Sequence, residues 1–377
     1  MPDTPRHHVR YLDLADYLYR SRTGSGGSFT DAPAGRLTDR SDEAIMGPRK
    51  GAGMALRSEE ELLERLRSGR LIEGLDTATD AYVEGLKRTL IVSADTELIS
   101  APAYLRAARD APSINSYMSA TSIVQDELGH AHIGYRMLRD LGVDTDWLIY
   151  EREPKAFKYP YAFDVPLDRW EELVIANAFY DRAGFVLLSD IYQHTSYGPC
   201  KRALVKVDRE ETFHLRHGER WMKILSEDPD KQAAVQRAID WMFVLTLEWF
   251  GLPDDLKQHK EQVGYQLKGL TNDQLRQAWM SATVPLCEGL GFEVPAHLDT
   301  ATGQYVVDCP FPMRFDEDAK RWDTGGGAIG WDQVLARWKR RGPANEEFVG
   351  LIQRGYRQLQ GRDGNGADAT VASLRTS

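Results

Sequence analysis

Glu127-Leu128-Gly129-His130 and Glu211-Thr212-Phe213-His214 are two copies of Glu-x-x-His, set 84 residues apart. Glu97 stands 30 residues before the first copy and Asp181 stands 30 residues before the second, so these acids also repeat at a distance of 84. A helix pair carrying one acid and then one Glu-x-x-His has been duplicated. Residues three apart on a helix share a face, with Cβ atoms about 5–6 Å apart, so a Glu and a His at that spacing can address one ion and its neighbour. Two such pairs, plus a single acid from each of two other helices, make the ligand set of ferritin-like dimetal bundles.

The flanking sequence has the matching period. Val83, Leu86, Leu90, Ala94 and Glu97 step by three or four, which puts Glu97 on a core stripe, and Pro102 is expected to kink or end that helix. Met118, Thr121, Val124 and Glu127 continue toward Ile133 and Met137, and Gly142 stops the run. A third stretch runs from Trp170 through Val174, Asn177 and Asp181 to Leu188, until Thr195-Ser196-Tyr197-Gly198-Pro199 breaks it. The fourth carries Leu204, Val207, Glu211, His214 and Ile224, with Pro199 in its first turn. Trp241 to Phe250 is apolar almost all round and reads as a further buried helix; strand signal is confined to pieces such as Gln304-Tyr305-Val306-Val307.

The chain is therefore predicted to be all-α, a ferritin-like four-helix bundle with additional helices over residues 71–300. An N-terminal arm and linker (1–70) precede it. The arm holds an aromatic-rich Tyr11–Tyr19 segment and a Gly/Pro-rich stretch, then Ser58 capping a short helix toward Leu66. An irregular C-terminal appendage (301–377) is expected to pack on the bundle and end in a frayed tail from Gly361.

A formal net charge of −10 argues against nucleic acid and anionic membrane as partners. No 18-residue uncharged apolar run and no signal-like N-terminus are present, which gives a cytoplasmic reading. Cys200, Cys287 and Cys309 are too scattered for a disulfide framework or a structural zinc site and read as reduced packing residues.

Buried carboxylates cost several kcal/mol unless paired or metal-bound, so four acids on inward stripes argue for metal. Four carboxylates and two imidazoles suit two octahedral-tending ions and favour iron or manganese over structural zinc. Asp126 and Glu210 each precede a ligand Glu, and each is expected to accept the Nδ1 proton of the histidine in the opposite pair. His132 and His217 are out of phase with the pairs and read as surface or packing residues.

Val124-Gln125-Asp126-Glu127-Leu128-Gly129-His130, Thr195–Pro199, Glu210–His214 and Thr271-Asn272-Asp273-Gln274-Leu275-Arg276-Gln277 resemble the catalytic subunits of the phenylacetyl-CoA and benzoyl-CoA epoxidases over about residues 75 to 360. The resemblance implies a di-iron centre held by Glu97, Glu127, His130, Asp181, Glu211 and His214, with Asp181 favoured over Asp190 because the family has an aspartate there. It implies O2-dependent epoxidation or hydroxylation of the ring of an aryl-CoA thioester. It also implies partners: a small accessory subunit, a structural ferritin-like subunit and an NAD(P)H-dependent reductase, in an oligomer. The N-terminal extension to about residue 70 departs from the family pattern.

No Gly-x-Gly-x-x-Gly follows a strand signal and no iron–sulfur cysteine set is present, so electrons must arrive from a separate protein. Ile123, Phe179, Phe185 and Phe213 are the expected substrate pocket. Lys201 and Arg202, with Lys206 and Arg209, are expected to meet CoA phosphates. Three rival functions make different demands on the chain. A ribonucleotide reductase-like radical subunit would need a tyrosine near the metals, for which Tyr180 and Tyr192 are candidates; a ferritin store would not need so long a chain; a non-catalytic ferritin-like interaction subunit would have lost ligands.

Overall fold

The computed structural model describes residues 58–257 and 261–360. The Tyr11–Tyr19 segment, the Gly/Pro-rich linker and the tail from Gly361 lie outside the described residues. Helix α1 (Glu59–Arg67) starts at Ser58, whose hydroxyl accepts from the Glu61 amide, and three glutamates sit in its first turn. Thr79 caps α2 (Asp80–Ala108) and Ser113 caps α3 (Ile114–Asp140) in the same way. Gly142, at φ +80°, follows the end of α3. After α4 (Thr145–Tyr150) come α5 (Trp170–His194) and α6 (Gly198–Ser226), the latter with Pro199 in its first turn.

Helix α2 packs along α3, α5 packs along α6, and α3 meets α6 across the bundle. Pro102 does not end α2. The helix runs 29 residues, to Ala108, because its packing along α3 outweighs the one hydrogen bond that proline removes.

The duplication extends to the helix crossings. A Cβ on Gly134 of α3 would lie 2.8 Å from the Ala94 Cβ of α2, and one on Gly218 of α6 would lie 2.5 Å from the Ala178 amide nitrogen of α5. Both pairs are 84 residues apart in sequence, three residues before an acid on one helix and four after a His on the other. Small residues there let the backbones approach closely enough for short carboxylate and imidazole side chains to meet between them.

Helix α7 (Pro229–Trp249) lies on α5 and is buried on every face from Trp241 to Glu248. The short α8 (Glu261–Gly264) is followed by α9 (Asn272–Gly289), capped by the reciprocal Thr271–Gln274 pair and packed on α5, where Trp279 Nε1 donates to the Phe179 carbonyl at 3.0 Å. The C-terminal part is more regular than expected. Strands β1 (Ala296–Asp299) and β2 (Gln304–Val307) form an antiparallel hairpin with Ala296 opposite Val307. The pair β3 (Phe315–Asp316) and β4 (Arg321–Trp322) is followed by α10 (Trp331–Arg340) and α11 (Pro343–Leu359).

Two buried ion pairs join this part to the bundle. Arg337 of α10 donates to Glu248 of α7, and Arg341 donates to Asp164 at 2.9 Å, while Asp164 also accepts from the Gly342 amide. Such pairs are costly to break from one side. No helix among the described residues is long and apolar enough to cross a membrane. Cys200 and Cys287 are free and buried, and burial pushes their thiols up to about 11 and about 12.

The crossings can be tested by mutation. Gly218→Ala should cost about 1–3 kcal/mol in urea unfolding, because the α6 backbone must move off α5. Gly129→Ala, where a Cβ meets nothing within 4 Å, should be neutral or stabilising by about 0.5–1 kcal/mol.

Candidate metal centre

The four acids and two histidines converge where α2, α3, α5 and α6 meet. Glu97, His130 and Glu211 bring one ligand atom each within 4.8 Å of one another, and Glu127, Asp181 and His214 do the same. Each group draws on both halves of the duplication. His130 Nδ1 lies 3.2 Å from Glu211 Oε1 and 3.6 Å from Glu97 Oε2; His214 Nδ1 lies 3.3 Å from Glu127 Oε1 and 3.7 Å from Glu211 Oε2. Glu211 thus lies between the two histidines, with one carboxylate oxygen toward each Nδ1. All six are buried except Glu97, which is half-buried.

The electrostatics ask for cations. Burial, and then the charge of Glu97, raises the Glu127 carboxyl; burial, and then Glu127, holds Asp181 well above the ordinary carboxylate range. Burial alone would lower His130, but Glu211 and Glu97 overcome it and push the imidazole up to about 12. His214 is likewise pushed up to about 11 by Asp126 and Glu127. Protons on the histidines do what a metal would do better. Both Nδ1 atoms are buried, aimed at carboxylates and without a well-aligned hydrogen bond, so the donor set fits a pair of cations.

Glu210 Oε2 accepts from His130 Nε2 at 3.0 Å, and Asp126 Oδ2 accepts from His214 Nε2 at 3.3 Å. The crossed pairing is the expected one, but the nitrogen is Nε2 and not Nδ1. The short reach of Nδ1 turns that atom inward and leaves the distal nitrogen for the outer acid. The same bond holds Asp126 below the usual carboxylate range.

Further partners of the cluster were not anticipated from the sequence. Ser100 donates to Glu127, and Tyr104 donates to Asp181. Asn177 Nδ2 donates to Asp181 Oδ2 at 2.8 Å while its Oδ1 accepts from His217 Nδ1 at 3.1 Å, so His217 is a packing histidine that also braces the acid through Asn177. Ser100 and Tyr104 follow Glu97 at i+3 and i+7, so their polarity on a core stripe was the available signal. The tyrosine touching the cluster is Tyr104. Tyr180 lines a neighbouring cavity with its hydroxyl unpartnered, and Tyr192 is half-buried beneath Lys201.

That cavity, of about 300 Å³, opens between α2 and α5. Glu97, Glu127, Asp181 and Glu211 lie on one side of it, and Phe163, Tyr180, Leu187, Leu188, Ile191 and Trp249 give it an apolar wall. The residues expected to form a pocket lie elsewhere. Ile123 and Phe179 are in the core, Phe179 stacking edge-on against Trp279 and Phe243; Phe185 is half-buried; Phe213 is exposed. Phe179 and Phe213 each sit two residues from, or between, cluster residues, and positions two apart point to different faces. Lys201 bonds the Gln193 carbonyl, Arg202 pairs with Glu73 and Lys206 pairs with Glu210, all on the outer surface; none lines the cavity. Asp190 accepts from the Gly269 and Leu270 amides and is not in the cluster.

A four-helix bundle with single acids on its first and third helices and Glu-x-x-His on its second and fourth defines a ferritin-like protein with a carboxylate–histidine site in its interior. The chain belongs to the phenylacetic acid catabolic protein family, whose sequence model matches residues 54–314. It is 30% identical over 305 residues to one of the subunits of the 1,2-phenylacetyl-CoA epoxidase of Escherichia coli (strain K12), an alignment covering 80% of this chain and 92% of that protein.

The outer acids can be tested without turnover. Glu210→Ala frees the His130 ring and should weaken binding of divalent iron or manganese about 10–100-fold in a competition titration. Lys206→Ala, which removes only an exposed partner of Glu210, should leave it within about 2-fold.

Proposed function

We propose that this chain is the catalytic subunit of a multicomponent di-iron monooxygenase that epoxidises the ring of an aryl-CoA thioester. The observation that carries the reading is the cavity: all four cluster carboxylates face one end of a space walled by aromatic and aliphatic side chains. Family membership and the similarity to a protein of an epoxidase complex support it.

Glu97, Glu127, His130, Asp181, Glu211 and His214 would hold two irons, which when bound supply electrons for the reduction of O2. One oxygen atom enters the ring and the other leaves as water with two protons. The two electrons come from a separate NAD(P)H-dependent reductase. Phe163, Tyr180 and Trp249 hold a flat ring by stacking and exclude water from the acids. Tyr180 and Trp249 already stack, with centroids 5.6 Å apart, and Phe163 meets both edge-on. Ser100 and Tyr104 donate to Glu127 and Asp181 and fix how those carboxylates turn. A small accessory subunit, together with a structural ferritin-like subunit, completes the cytoplasmic assembly.

Glu127→Ala and His214→Ala should each reduce bound iron from about two per chain to well below one. Elemental analysis of folded variants that retain two irons would contradict the ligand assignment. Phenylacetyl-CoA should bind about 10-fold or more tightly than phenylacetate, since the thioester carries further contacts outside the ring pocket. Equal affinities in a calorimetric titration would favour a free-acid substrate.

A further inference from the structure

Lys257 and Lys268 line the same cavity as the four carboxylates. Lys268 is 5% exposed, and Lys257 is half-buried beside it. Among the described residues the acceptors of these ammonium groups are neutral amides: Lys257 Nζ donates to Gln262 Oε1 at 2.9 Å, and Lys268 Nζ donates to Asn272 Oδ1 at 2.8 Å. Both amides also line the cavity. Asp190, Asp254 and Glu261 lie near enough to be felt, but Asp190 is engaged by the Gly269 and Leu270 amides, Asp254 by the Asn272 amide and Glu261 by Arg88. Two amines packed together in a sheltered pocket, without a carboxylate bonded to either, cannot both carry a charge cheaply until an anion joins them. Burial, and then Lys257, pushes Lys268 down to about 7. Other basic side chains at comparable depth, such as Arg152, Arg337 and Arg341, are each bonded to a buried acid.

We propose that Lys257 and Lys268 form an anion-binding subsite within the cavity, taking an anionic oxygen of the substrate whose ring lies over the carboxylates. Two sources have that chemistry: the carboxylate of a free aromatic acid and a phosphate of a CoA thioester. The proposal deepens the aryl substrate reading and rests on it for the ring, while the subsite itself needs only the lysines. Gln262 and Asn272 orient the ammonium groups toward the cavity.

The test is a set of titrations on the full chain and on Lys268→Met and Lys257→Met. The probes are phenylacetate, phenylacetyl-CoA, the neutral thioester of phenylacetate with N-acetylcysteamine, and inorganic phosphate. Each variant should weaken the anionic probes about 10-fold or more and leave the neutral thioester unchanged. Loss with phenylacetate identifies the carboxylate as the bound group; loss with the CoA thioester alone identifies a phosphate. Unliganded Lys268→Met should melt at or above the temperature of the parent chain, whereas a lysine with a purely structural role would lower it. Phosphate separates this proposal from the functional reading: it should stabilise the parent chain and not the variants even if no aryl compound binds. Anion binding that is the same in all three proteins, or neutral and anionic probes weakened alike, overturns the subsite.

Discussion

Four carboxylates packed between four helices are the constraint on which the rest of this structure depends. Unpaired, they would repel one another in a medium that screens them poorly, and burial already drives Glu127 and Asp181 toward their neutral forms. Two imidazoles turned inward, each held from behind by an outer acid, complete a donor set that suits cations. The demand for close approach then fixes the small residues at the crossings, Ala94 against Gly134 and Ala178 against Gly218. Around this crowded interior the protein adds a wholly buried stretch of α7, and a C-terminal part joined to the bundle through Arg337–Glu248 and Arg341–Asp164.

The duplication makes the site symmetric, and its exceptions make it useful. Ser100 and Tyr104 on α2 are matched 84 residues later by Gly184 and Leu188 on α5. The first pair bonds cluster acids, while the second gives space and an apolar surface, and all four line the cavity. Asn177 and His217, which brace Asp181, are matched by Ser93 and Ile133. Hydrogen bonds thereby brace Glu127 and Asp181 of the cluster, while Gly184 and Leu188 leave it bordering an aromatic-walled space.

The bundle and the six clustered residues were legible because a period of three or four residues and a repeat of 84 are linear signals. Position immediately before each motif's Glu put Glu210 beside His130 and Asp126 beside His214, though through Nε2 and not the expected Nδ1. The cavity was not legible. Its wall comes from α2, the turn at residues 160–164, α5, the end of α7 and the turn before α9, and nearness in sequence to the cluster misdirected the choice to Phe179, which faces α7 and α9, and Phe213, which faces outward. The basic residues on α6 stand out in the sequence for the same reason, although Arg202 and Lys206 are spent on surface partners, while Lys257 and Lys268 stand in no recognisable motif. Of the short hairpins only β2 was legible, as Gln304–Val307; β1, β3 and β4, of two to four residues, are too brief to show a period.

The most direct measurement is anomalous diffraction at the iron edge from crystals of the full chain prepared with ferrous iron under anaerobic conditions. Two peaks are expected, one bounded by Glu97, His130 and Glu211 and the other by Glu127, Asp181 and His214, with Glu211 between them. A bundle that diffracts well but shows no anomalous density among these six side chains, or iron bound elsewhere, would contradict a di-iron centre built on the duplicated helices.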